Sequence, residues 1–178
     1  MGVWFAFLQG INLGKRQMKM AELKACVEEA GFEDVKTFLA SGNVRLKAEG
    51  TEKSIKSRLE SAIEKQFGFA AGVVLRSETE MVAMLKHHPF DSLDPKADLT
   101  RHVILFAEPI PEVALESRAG DTEILRTDAR ELYFAGYRQP NGRYTENVEE
   151  VLKPLYKLLG KANGGTMRNW NTMEKMLK

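Results

Sequence analysis

The first 76 residues switch between two hydrophobic periods in a fixed order, and that order limits the folds open to the chain. Residues 3–9 are almost continuously apolar, as in a central strand covered on both faces. Met20, Leu23, Val27 and Ala30 then recur at helical spacing, and Gly31 stands where a helix-ending glycine belongs. Residues 35–40 read as a second strand, Ser41-Gly42-Asn43 as a turn, and residues 44–48 as a third strand that alternates apolar and polar. Thr51 can cap a helix whose buried stripe is Ile55, Leu59, Ala62, Ile63 and Phe67; Gly68 ends it, and residues 69–76 form a fourth strand. Strand-helix-strand-strand-helix-strand is the order of the ferredoxin-like split βαβ arrangement.

The pattern then returns. Ser77 to Glu80 form a capping box, with Met81, Met84, Leu85 and His88 as one helix stripe behind it, which makes His88 a half-buried packing residue. Pro89 stops that helix, and residues 91–98 form a polar loop. Residues 102–107 read as a strand, 111–117 as a short helix, and 122–126 and 131–137 as strands around the turn 127–130. Residues 146–159 read as a helix interrupted or delayed by Pro154, and Asn171 can cap a last short helix. The expectation is an α+β protein of two ferredoxin-like βαββαβ units, 1–77 and 78–178, each a mainly antiparallel sheet with helices on one face.

Composition narrows the partners. The 178 residues carry a net charge of +1, without the basic excess of a dedicated nucleic-acid binder. The third strand, Asn43 to Ala48, also lacks the aromatics on which an RNA-recognition sheet stacks bases. Cys26 is the only cysteine, which fits a reducing, cytoplasmic setting, and its place on a packing stripe makes it a small hydrophobe. The apolar N-terminus lacks a basic region and a cleavage site, and no apolar run reaches the roughly 20 residues of a membrane helix. His87 and His88 are helix neighbours about 100° apart and no cysteine cluster exists, so neither a metal nor another cofactor is expected.

In a split βαβ unit the first two strands run parallel with the third between them. The loop after strand one, the turn after strand two and the loop leading into strand four therefore gather at one sheet end. That places Gly10, Asn12, Gly14, Lys15, Ser41 and Asn43 together, with backbone N–H groups and a basic pair suited to an anion. Turn chemistry alone is the plainer use of these residues. Gly10 to Lys15 is not a Walker loop, because three residues separate its glycines and Arg16 replaces the magnesium-binding hydroxyl. Ser41 is not in a nucleophile elbow, its flanks being Leu39 and Asn43. Near the C-terminus Thr166, Arg168, Asn169 and Trp170 form a second candidate group: Arg can grip a phosphate or carboxylate and Trp can stack, or Trp170 can simply tie down the chain end.

Residues 7–14, 20–23, 31–32, 35–38, 41–44 and 166–172 together resemble the DUF-1697 family, a bacterial domain of unknown function. The resemblance runs from the first strand to the last helix. It implies two ferredoxin-like units and no established activity. The family pattern commonly has Arg where this chain has Gln9. Three readings stay open: a cytoplasmic binding module for a small anionic or nucleotide-like ligand, completed by the Thr166–Trp170 group; a small-molecule enzyme without a recognisable motif, using Lys15 or Arg168 electrostatically; and an interaction module that dimerises through a sheet face.

Overall fold

The computed structural model describes residues 1–39, 41–144, 147–160 and 164–178. The chain divides into two compact units, Met1–Met84 with Leu177 and Leu85–Met176 with Lys178. Each unit contains one four-stranded antiparallel sheet, so the fold class is α+β with two ferredoxin-like units.

In unit 1 the elements are β1 (Gly2–Gln9), α1 (Met20–Glu29), β2 (Glu33–Phe38), β3 (Asn43–Ala48), α2 (Glu52–Phe67) and β4 (Gly72–Ser77), with sheet order β2-β3-β1-β4. Both neighbours of β1 are antiparallel to it, and β2 is antiparallel to β3, so β1 and β2 run the same way. One sheet face carries Ala6, Leu8, Val44, Leu46, Val73 and Leu75; α1 covers it with Leu23 and Val27, and α2 with Ile55, Leu59 and Ile63. The local signals hold. Thr51 and Ser54 cap α2 reciprocally, and Gly68 closes it in the left-handed conformation. Ala40, expected at the end of the second strand, lies outside the described residues.

Helix α3 (Glu78–Lys86) follows β4, and its capping box is present: Ser77 N–H donates to Glu80 Oε2 (2.8 Å) and Glu80 N–H to Ser77 Oγ (3.2 Å). His88 is not the packing residue expected. The helix ends at Lys86, and His88 follows in a left-handed conformation (φ 46°) that turns its side chain, 69 % exposed, outward.

Unit 2 contains β5 (Leu99–Leu105), β6 (Thr122–Thr127), β7 (Glu131–Tyr137), α4 (Val148–Leu159), β8 (Thr166–Asn169) and α5 (Trp170–Met176), with sheet order β6-β7-β5-β8. The helix expected over 111–117 does not form. The segment is a strap pinned at both ends: the Ile110 N–H donates to the Ala129 carbonyl (2.8 Å) and the Arg118 N–H to the Thr122 carbonyl (2.7 Å). Its Ile110, Val113 and Leu115 pack beside α4 on Ile104, Phe106, Leu132 and Phe134. Pro154 lies inside α4, which continues through it to Leu159; the expected start at Glu146 lies outside the described residues.

Candidate functional site

The loop after β1 and the turn after β2 meet at one end of the unit 1 sheet, as the parallel course of β1 and β2 requires. Leu8 N–H donates to the Gly42 carbonyl (2.9 Å). A Cβ on Gly42 would lie 2.6 Å from Ile11 Cδ1 and 2.9 Å from Leu8 Cβ, so the turn abuts the start of the loop and only glycine fits there. The loop before β4 joins them through Arg16, whose guanidinium lies 4.9 Å from the centre of the Phe69 ring and donates to the Gly10 carbonyl (3.1 Å).

Within this group the two asparagines have structural bonds. Asn12, in a left-handed conformation, accepts the Met18 N–H on Oδ1 (2.8 Å) and so ties the loop to the approach of α1. Asn43 is fully buried; its Nδ2 donates to the Phe38 carbonyl and to Ser41 Oγ, both at 2.8 Å, bracing the β2–β3 turn. The backbone of 10–14 is unusual. Gly10, Asn12 and Gly14 have positive φ (70°, 55° and 58°), while Ile11 and Leu13 do not. Alternation in the sign of φ is one element of the geometry of an anion-binding nest. Gly14 and Lys15 are exposed there. No Asp or Glu occurs before Glu22, so Lys15, Arg16 and Lys19 sit in a stretch without carboxylates.

The second candidate group lies in unit 2, on β8 and the start of α5. Arg168 is 7 % exposed; its Nη1 donates to Thr166 Oγ1 (2.6 Å) and to the Met167 carbonyl (2.9 Å), and burial lowers its pKa to about 10. Asn169 Oδ1 accepts the Asn171 N–H (2.8 Å) and shapes the step from strand to helix. Trp170 is buried in an aromatic trio, its ring centre 5.4 Å from Phe90 and 5.6 Å from Tyr133. Arg101, at the start of β5, was not among the residues singled out in the sequence. It donates through Nη2 to Asn171 Oδ1 and Glu174 Oε1 (3.1 Å for the latter) and lies 5.8 Å from the Phe90 ring centre. No local signal marks it, because β8 and α5 reach it only through the long-range β5–β8 pairing.

Cys26 is buried, its Sγ donates to the Ala62 carbonyl (3.4 Å), and burial pushes its thiol pKa up, the opposite of a reactive cysteine. Among the described residues no cluster of three His, Cys, Asp or Glu side chains is placed to hold a metal, and no helix is long and apolar enough to cross a membrane.

No curated protein matches the chain. The chain is similar in structure to the conserved bacterial protein SP0830 from Streptococcus pneumoniae, with 21 % identity and a TM-score of 0.68 over 99 % of this chain and 98 % of that one, which shows a common fold. A family model described as "Protein of unknown function (DUF1697)" matches residues 1–133, into the third strand of unit 2 and short of the Thr166–Thr172 motif. The chain therefore belongs to the DUF1697 family.

Proposed function

We propose that the protein is a cytoplasmic binding module for a small anionic or nucleotide-like ligand, held at the loop end of unit 1. One observation carries this reading: φ alternates in sign along 10–14 immediately before exposed Lys15, in a stretch free of carboxylates. Backbone N–H groups and a fixed cation then favour the same negative group. Asn12 and Asn43 shape the cradle, through amide bonds that run within the loop and the turn. The buried Cys26 and the lack of a second cysteine suit a reducing compartment.

A thermal-shift screen against phosphate, nucleoside monophosphates and dicarboxylates tests it, because a ligand that binds the folded state raises the melting temperature by mass action. Lys15→Ala should leave the unliganded melting temperature unchanged and weaken the best anion by roughly tenfold at low salt, less at high salt. Equal affinity in wild type and Lys15→Ala would leave this loop as turn chemistry alone.

A further inference from the structure

We infer that unit 2 carries a separate site for a small zwitterion with an apolar body, such as a free apolar amino acid, centred on Arg101. Two adjoining depressions, of about 550 and 200 Å³, share Phe90, Asp91 and Arg101. The larger has an apolar wall of Phe90, Leu93, Pro95 and Leu99. The smaller reaches Trp170 and Glu174.

Arg101 is the built element. Asn171, Glu174 and the Phe90 ring fix its guanidinium, which remains 36 % exposed. Both of these bonds use Nη2, which leaves Nε and Nη1 without a protein hydrogen bond among the described residues. A guanidinium held in this way has already lost the rotamer freedom that binding would otherwise remove, and its fork matches a carboxylate.

The charges around it choose the class of ligand. Arg101 contributes one positive charge, while Glu174, Asp91 and Asp94 bring three negative ones to the two depressions. His88 is the other titratable group there, with Nδ1 3.8 Å from Asp91. A phosphate dianion would meet net repulsion. A carboxylate can take the Arg101 edge if the same molecule offers an ammonium to Asp91 or Asp94, with its apolar part against Leu93 and Leu99. The site thus differs in kind from the unit 1 loop, whose stretch of sequence before Glu22 carries no carboxylate.

Ligand-observed NMR and calorimetry with L-phenylalanine, 3-phenylpropionate and phenethylamine test the inference on the full chain. L-Phenylalanine should bind saturably, and each single-charge analogue about tenfold more weakly. Arg101→Gln should reduce L-phenylalanine to the affinity of phenethylamine. Asp94→Asn, which keeps the Oδ1 that accepts the Lys96 N–H, should weaken it severalfold without a change in melting. Lys15→Ala should have no effect, which separates this site from the unit 1 proposal. Absence of saturable binding by wild type at ~10 mM, or unchanged affinity in a folded Arg101→Gln or Asp94→Asn variant, overturns it.

Discussion

The two units reach the same sheet order by different covers. Unit 1 closes its core with two helices, α1 and α2, and binds them together through the Cys26–Ala62 bond. Unit 2 uses α4 and an extended strap; its connection from β5 to β6 is residues 106–121, against 10–32 between β1 and β2, and carries Pro109 and Pro111. An extended chain covers about 3.3 Å per residue, whereas a helix advances about 1.5 Å, so a strap spans the sheet with fewer residues than a helix would use. The comparison teaches that one sheet order can be covered by two helices or by one helix and a strap that supplies Ile110, Val113 and Leu115.

The largest expected effects test that statement in the cores. Leu152 and Leu59 are both buried to within 1 %, on α4 and α2 respectively. Leu152→Ala should cost near the upper end of about 2–5 kcal/mol, since a strap pinned by backbone bonds cannot move into the space left behind; Leu59→Ala should fall near the lower end. Equal losses in urea unfolding would remove the distinction between the two covers.

Glycines come next. A Cβ on Gly165 would lie 2.8 Å from Ile104 Cγ2 and 2.9 Å from both the Leu105 carbonyl and Phe106 Cδ1, with φ at 74°. Gly68 has a similar φ of 77° and open space. Gly165→Ala should therefore destabilise by about 2 kcal/mol or more and Gly68→Ala by about 1 kcal/mol, the first adding a clash to the conformational cost. Matching melting temperatures for the two variants would show that the chain around Gly165 yields.

The turn asparagine of unit 1 should matter less. Asn43→Ala leaves the Phe38 carbonyl without its buried donor and should cost about 1–2 kcal/mol, while Asn12→Ala, in an exposed loop, should cost about 1 kcal/mol or less. If either leaves stability untouched and abolishes binding of the unit 1 anion, that asparagine contacts the ligand.

The smallest expected effect is a pH dependence. All three histidines lie in unit 2, and burial holds the His102 imidazole, stacked 5.0 Å from Phe134, below its ordinary pKa of 6.5. The unfolded chain then binds a proton that the folded chain resists. Stability should be complete above pH 6.5 and decline as pH falls below it, towards the lower folded pKa. His102→Gln should flatten that decline in chemical melts taken between pH 7.5 and 5, and an unaltered profile would assign it to other groups.

Local chemistry was enough to place most elements. Thr51 and Ser77 cap the helices they precede, Gly68 ends α2, and the apolar periods of residues 3–9 and 131–137 become central strands, because each signal involves neighbours within a few residues. The convergence of the 10–17 loop with the Ser41–Asn43 turn was also legible, since strand order fixes it. Tertiary structure decided the rest. The segment 111–117 is held between the bonds of Ile110 to the Ala129 carbonyl and of Arg118 to the Thr122 carbonyl, and the course of the chain at His88 depended on where α3 could stop. Arg101 became notable only when β8 paired with β5 and brought Asn171 and Glu174 to it, a separation of about 70 residues that no local period encodes.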